Sequence, residues 1–366
     1  MKNTFFVTGF PGFLATSLLQ QLIHDHKKEI DQIHLLVLPS QCDQAIEQIK
    51  SLAHKHSVPE HFFSVITGDI TKKDLDIPWE TKTTLQESVT HVFHLAAIYD
   101  LAVPKDVAYD VNVNGTQNVN EWVMTLDKLI RYIYFSTAYV SGVREGKIYE
   151  HELNQGQTFK NHYEQTKYEA ELLVNAIKDT VPTTIIRPGI VKGNSKTGET
   201  IKFDGIYFML NLLDNLRFLP VVTYIGDGAP EGNFVPSDYV LNAVSYLALA
   251  PVGEGKTYHL TDPNPYKMNE IHKMLSERYL GKTPSGQIPL TIAKKAMSIS
   301  IIRKWLQVEK EALDYFEIKS SYDCSQTVAD LEGSDIVCPD FKDTLEPMIH
   351  FYRKYKHDYT KHIEIN

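Results

Sequence analysis

The chain has 366 residues, 43% hydrophobic and 23% charged, with a formal net charge of −9. That length suits a large core plus a smaller subdomain, and the composition is that of an ordinary globular protein. Its mild acidity, with Lys and Arg scattered among acidic residues, argues against a nucleic-acid surface, which needs clustered cations. The cysteines, Cys42, Cys324 and Cys338, give neither a disulfide framework nor a zinc spacing, so a reducing cytoplasm is the expected compartment. The apolar N-terminal run is too short for a signal-peptide core. The longest apolar stretch, near 239–252, is interrupted by Asn242 and Ser245 and is too short to span a bilayer. A soluble chain is expected.

In chain order, short β-rich runs appear at 4–8, 33–38, 63–66, 91–95, 131–136 and 183–187. Between them lie stretches of helical periodicity: Leu14, Leu18, Leu22 and Ile23 on one face, then about 107–126, then 163–177. Strand alternating with helix predicts right-handed crossovers and a parallel sheet covered on both faces, an α/β doubly wound fold. After Pro188 the rhythm changes. Residues 189–232 are rich in Gly, Asn and Asp around an apolar block, 206–213, and from Tyr266 onward the pattern is mostly helical.

The first strand runs into Thr8-Gly9-Phe10-Pro11-Gly12-Phe13-Leu14-Ala15. Gly9 suits a tight turn, Gly12 a close backbone approach to a pyrophosphate, and Ala15 close packing of helix on strand. The N–H groups and dipole at the helix start would then face that anion. The strand–turn–helix setting makes this a dinucleotide site of Rossmann type rather than a plain turn. Further cofactor contacts are expected from Asp69 and Ile70 after the third strand, from Leu95, Ala96 and Ala97 after the fourth, and from Pro188, Gly189 and Ile190 after the sixth. Residues 1–190 and 232–262 are accordingly the expected Rossmann domain, and 191–231 and 263–366 a smaller, mostly helical substrate lobe.

Tyr163 and Lys167 stand one turn apart at a helix start, on one face. A phenol is a poor acid–base catalyst at neutral pH, and a nearby ammonium is expected to pull its pKa down by favouring the phenolate. Lys167 is also placed to reach the nicotinamide ribose. Thr137, at the end of the fifth strand, would point into the crevice where ligands of such sheets bind, beside Tyr163. No cysteine lies near these segments, which speaks against an acyl-cysteine intermediate.

Over roughly its first 260 residues the chain resembles the extended short-chain dehydrogenase/reductase superfamily. The resemblance rests on Thr8-Gly9-x-x-Gly12, Val92-Phe-His-Leu-Ala-Ala97, Asn112-Val-Asn-Gly-Thr116, Phe135-Ser-Thr137 and Tyr163-x-x-x-Lys167. Within it, the stretches 135–142, 186–199 and 233–239 look like the thioester-reductase and fatty-acyl-reductase branch, also called male-sterility-like. The resemblance implies Tyr163 as general acid, Lys167 as its electrostatic partner, Thr137 as donor to the carbonyl oxygen, and Asn112 or its rival Asn114 as holder of a proton-relay water. It implies NAD(P)H-dependent reduction of a fatty-acyl thioester or aldehyde. A sugar-nucleotide epimerase or dehydratase, a hydroxysteroid-type dehydrogenase, and a cofactor sensor without catalysis are the alternatives.

Two departures qualify the resemblance. The branch often carries Leu-Val-Arg after the second strand, the Arg meeting the 2′-phosphate of NADP. Here Leu36-Val37-Leu38-Pro39-Ser40 has neither that Arg nor the acid expected for NAD, and NADP is favoured over NAD by family habit alone. Large carboxylate reductases also bring adenylation and carrier domains, for which 366 residues leave no room. The expected partner is therefore a small-molecule or carrier-bound acyl substrate; a homodimer is possible. Block 207–213 has two readings, acyl tunnel or ordinary lobe core, with core the default. Residues 292–306, basic among apolar residues, suit a lid or dimer helix better than a membrane contact. His24/His26 and His54/His56 do not have helical metal spacing, and no metal is expected.

Overall fold

The computed structural model describes residues 2–99, 103–317 and 319–365. All six β-rich runs form strands: β1 (Asn3–Thr8), β2 (Ile30–Val37), β3 (Phe63–Thr67), β4 (His91–His94), β5 (Arg131–Phe135) and, after a short β6 (Gly146–Ile148), β7 (Thr183–Pro188). Short strands β8 (Ile190–Lys192), β9 (Tyr224–Ile225) and β10 (Phe234–Pro236) follow, then β11 (Thr257–Leu260), β12 (Gln287–Ile288) and β13 (Ser320–Tyr322). The main sheet runs β11-β7-β5-β4-β1-β2-β3, every neighbouring pair parallel. From β1 the chain winds outward to β3, then crosses back to β4. The crevice beyond the carboxyl ends of β1 and β4 is thus the topological switch point where ligands of such sheets bind. β11 joins the sheet as a seventh strand that the β-rich runs did not include.

Alternation along the strands builds two cores. Phe5, Val7, Ile33, Leu35, Phe93 and Ile133 face one way, against α1 (Phe13–His26), α2 (Cys42–His56) and α8 (Ser237–Leu249). Phe6, Leu36, Val92, Tyr132, Tyr134 and Ile185 face the other, against α3 (Trp79–Ser88), α5 (Gly115–Val123) and α6 (His162–Ile177). The helix expected over 107–126 is a continuous run in which α4 (Lys105–Tyr109) passes through a π turn (Asp110–Asn114) into α5. Such a bulge re-aims side chains and recurs at functional sites. α8 is tied to α1 by Ser245 Oγ donating to Asp25 Oδ2 at 2.6 Å.

A third core sits away from the sheet. It joins α7 (Tyr207–Asn215) to α9 (Met268–Leu280) and α13 (Leu345–Tyr355), with Phe203 and Phe341 between them. The apolar block at 207–213 is therefore packed lobe interior, as its default reading had it. The segment 292–306 is not one helix: α10 (Leu290–Met297) and α11 (Ser300–Leu306) meet at Ser298–Ile299, leaving Ile301 and Trp305 exposed. No described helix is long and apolar enough to cross a membrane. Part of the C-terminal segment returns to the first half of the chain: β13 pairs with β6 in a separate two-stranded ladder, and Leu331 of α12 (Ser325–Leu331) enters the first core.

Candidate active site

The glycine turn closes on itself after β1. Gly9 has φ +89°, and a Cβ there would lie 2.8 Å from Ala96 N and 2.9 Å from the Leu95 carbonyl carbon. The end of β1 is thus pressed against the end of β4. A Cβ on Gly12 would lie 2.6 Å from Gly9 O, the oxygen that accepts from Gly12 N at 2.9 Å. Gly12 was expected to clear space for a pyrophosphate; the turn's own closure already demands it. The first turn of α1 has no side-chain cap and no acidic residue, and Gly12 and Phe13 are exposed. Its N–H groups and dipole therefore fit an anionic pyrophosphate.

The other expected contacts fall into two groups. Leu95, Ala96 and Ala97 form a partly open rim, and Leu14 is half-buried beside the turn. Phe10, Pro11, Ile70, Pro188 and Gly189 are buried. Ile70, for instance, lies against Gly115, where a Cβ would meet its Cδ1 at 2.7 Å. Ile190 is half-buried on β8. Asp69 Oδ1 accepts from both the backbone N and the hydroxyl of Thr71, each at 2.9 Å, so this carboxylate shapes the turn after β3.

Thr8 is fully buried and begins a polar chain that no motif announced. Its hydroxyl lies 2.8 Å from His94 Nδ1 and accepts from Ala96 N at 3.1 Å. His94 Nε2 lies 3.1 Å from Thr116 Oγ1, which donates to Asn112 O at 2.7 Å. Because the Thr116 proton is committed to that carbonyl, His94 must donate from Nε2 and accept at Nδ1. Burial, with Lys167 nearby, pushes its pKa down to about 3, so the ring stays neutral.

Asn161 caps α6 by accepting from Glu164 N at 2.9 Å, which sets Tyr163 in the first turn. Tyr163 is 9% exposed, and the Thr137 side chain lies close enough to act on its hydroxyl. Its pKa is the opposite of expectation. Burial raises it well above the usual phenol range and the Glu164 charge adds to that, while the Thr137 side chain opposes. Lys167 does not act on it directly. Lys167 Nζ donates instead to Tyr134 Oη at 2.9 Å and to Phe135 O at 2.6 Å, and lies over the Tyr134 ring. Burial lowers the lysine itself to about 7, with Glu171 pulling it back up.

The π turn separates the two asparagines. Asn112 is buried: its Oδ1 accepts from Ile98 N at 2.9 Å, and its Nδ2 donates to Thr166 Oγ1 at 3.0 Å. It ties the loop after β4 to the helix that carries Tyr163. Asn114 is exposed and bonds only along its own helix, to Asp110 at 3.2 Å.

Several residues around Tyr163 were not anticipated. Tyr99 stands edge-on to it with ring centroids 5.0 Å apart. Lys160 is ion-paired to Glu164 at 3.3 Å and lies 3.9 Å from the centroid of Tyr315, whose hydroxyl donates to Glu164 at 3.0 Å. Tyr139, two residues past Thr137, donates its backbone N–H to the Thr137 hydroxyl at 3.3 Å. Tyr139 and Lys160 stand near Thr137 and Tyr163 in sequence, whereas Tyr99 and Tyr315 reach the site only through long-range contacts. Among the described residues no group of side chains could hold a metal ion.

A sheet of this order, with Tyr163 and Lys167 on the helix leading into β7 and its glycine turn after β1, falls within the extended short-chain dehydrogenases/reductases. Members of that class use a nicotinamide dinucleotide, which the turn described above fits. A narrower placement comes from known proteins. The sequence profile of the family described as male sterility protein matches residues 7–244, and the chain belongs to that family. It is 25% identical over 307 residues to a non-canonical nonribosomal peptide synthetase, cpsA, of Aspergillus campestris, covering 79% of this chain and 28% of that one. It is 25% identical over 273 residues to the fatty acyl-CoA reductase wat of Drosophila melanogaster, covering 65% of this chain and 52% of that one. The chain thus spans about a quarter to a half of these relatives. In fold it is similar to the terminal R domain from the myxalamid PKS-NRPS biosynthetic pathway, with a TM-score of 0.77, 22% identity, and 97% and 91% of the two chains covered.

Proposed function

We propose that this chain reduces an activated carbonyl, a fatty-acyl thioester or the corresponding aldehyde, with NADPH as the preferred donor. The observation that carries this reading is the buried Tyr163 phenol on α6, beside Thr137 at the carboxyl end of β5 and one helical turn from the buried Lys167. When bound, the nicotinamide supplies the hydride. Thr137 and Tyr163 together would hold the substrate oxygen, and Tyr163 would hand it a proton as charge develops there. A phenol held above its usual range is protonated at neutral pH, which suits a donor. Lys167 uses two bonds to hold its place and, as an ammonium, keeps a third N–H for the cofactor ribose. Asn112 would fix the loop and helix on either side of the reacting centre. Arrival of the acyl group on a carrier is supported by the naming of the similar proteins and by nothing in the crevice itself. The preference for NADPH rests on the class habit, with Leu38, Pro39 and Ser40 offering no carboxylate to repel a 2′-phosphate.

The test is a parallel assay of acyl thioesters, medium-to-long aldehydes and UDP- or dTDP-hexoses, each with NADPH and NADH. Oxidation of NADPH with the acyl and aldehyde panels is expected, and Tyr163→Phe should cut turnover on the order of 10²–10⁴-fold with cofactor affinity unchanged. Epimerised or dehydrated sugar, with acyl substrates inert, would replace this reading by the sugar-nucleotide one. Cofactor binding with no turnover of any panel would favour the sensor.

A further inference from the structure

A pocket lies just past the carboxyl ends of β5 and β7, walled by Tyr139, Tyr315, Phe234 and Met268. Tyr139 follows Thr137 by two residues, and Lys160 on the same wall is paired to the neighbour of Tyr163. The pocket therefore adjoins the reacting centre. Two of its lining residues each carry a buried polar atom without a hydrogen-bond partner among the described residues: Asn233 Nδ2 and Glu231 Oε2. Asn233 is 2% exposed, and its Oδ1 accepts from Asp262 N at 2.9 Å, which fixes the amide with Nδ2 as the free donor. Folded proteins keep few such orphans, since each costs the full desolvation of the group. One donor and one acceptor orphaned in the same pocket are the imprint of a ligand group that both accepts and donates.

We propose that this pocket binds a neutral hydroxyl or amide carried on the acyl part of the substrate. Its oxygen accepts from Asn233 Nδ2 and its O–H or N–H donates to Glu231 Oε2. This specificity rests on the carbonyl-reduction reading above. A plain alkyl terminus would leave both polar atoms dry. A carboxylate would meet Glu231, and an ammonium would set donor against donor at Asn233. Lys160 does not call for an anion, because its charge is already met by Glu164 and the Tyr315 ring. The aromatic walls take the carbon skeleton that bears the group.

The experiment compares kcat/KM of the whole chain with NADPH for aldehydes of matched length bearing a terminal methyl, hydroxyl, methoxy or primary amide group, over several chain lengths. The best hydroxyl or amide member is expected to exceed its alkyl counterpart by roughly 100-fold, because a site built around hydrogen bonds rejects the analogue lacking them. The methoxy member, which accepts but cannot donate, should fall well below the hydroxyl. Glu231→Met should bring hydroxyl and methoxy to within about threefold of each other. Asn233→Asp keeps the bond to Asp262 N, removes the donor and should erase the advantage over alkyl. NADPH affinity, read by its fluorescence, should stay unchanged in both variants. Alkyl aldehydes reduced as well as the polar ones at every length would sink this inference alone and leave carbonyl reduction standing. No turnover of any aldehyde or thioester would sink both. Weakened NADPH binding with an unchanged substrate ranking would assign the two atoms to the cofactor instead.

Discussion

Lys167 illustrates how burial rather than sequence spacing sets the chemistry of a single residue. Desolvation brings its folded pKa to about 7, against an unfolded value near ~10.4. Between those values the unfolded chain holds a proton that the folded chain has released, so stability rises as pH climbs from about 7 toward 10. Below pH 7 the buried ammonium exerts its full penalty, on the order of 4 kcal/mol from that shift. Lys167→Met removes the titration. Urea unfolding of the cofactor-free protein at pH 7 and pH 9.5 should show the wild type gaining about 2–3 kcal/mol relative to the variant. Parallel behaviour of the two proteins would mean that Lys167 is better solvated than its surroundings indicate. The spacing of Tyr163 and Lys167 was legible in the sequence. The partners Tyr134 and Phe135 O were not, because they come from a strand that only folding brings under the helix.

At the scale of elements, three glycines that look alike in sequence differ in what a methyl group would meet. Gly9 has φ +89° and would press a Cβ on the backbone of Ala96 and Leu95. Gly12 would press one on Gly9 O, another backbone atom. Gly115 would meet the Ile70 side chain, Cδ1 at 2.7 Å and Cγ1 at 3.0 Å, and no backbone. Alanine at Gly9 or Gly12 should therefore lower stability by about 1–3 kcal/mol and weaken the cofactor at least about tenfold, since the turn must open. Gly115→Ala should cost under about 1 kcal/mol, the better helix former offsetting the shift of Ile70. Thermal unfolding and NADPH titration of the three variants check the ranking. A Gly12→Ala protein that binds NADPH like the wild type would refute the turn as drawn. The strand–turn–helix motif was readable from Gly9, Gly12 and Ala15. The π turn was not, since residues 107–126 have an unbroken helical period and the bulge shows only in the backbone.

Over the whole molecule, Glu150 is the most heavily bonded of the side chains that join the C-terminal segment to the sheet, alongside Asp330 bonded to Lys256 and Tyr258. It is 3% exposed, and its carboxylate accepts from His259 N on β11 and from Gln326 N, Thr327 N and Thr327 Oγ1 on α12, at 2.6–3.1 Å. Arg187, paired with Glu171 at 2.5 Å, donates to the Glu150 carbonyl at 3.2 Å from the neighbouring strand. Four donors on one buried carboxylate leave several unpaired if it is lost. Glu150→Ala should destabilise by about 2–4 kcal/mol. Amide exchange should quicken first over residues 320–331, with β1, β4 and β5 still protected. Uniform acceleration across the sheet, or none at α12, would contradict this account of how the segment is held.

The sequence by itself determined the periodic and the local: six strands by their β-rich runs, the helices between them, the glycine turn, and Tyr163 with Lys167 on one helix face. These depend on neighbours within a turn or a strand, which adjacent residues encode. Only the tertiary structure decided the rest. β11 reads Thr-Tyr-His-Leu, an alternation only four residues long with all four side chains buried, and its place in the sheet came from pairing with β7. The direction of the Tyr163 pKa followed from burial, which spacing does not report. The different settings of Asn112 and Asn114 came from a bulge that turns one inward and leaves the other in solvent. Desolvation and long-range contact are properties of the assembled core, and a linear pattern records them only after the chain has folded.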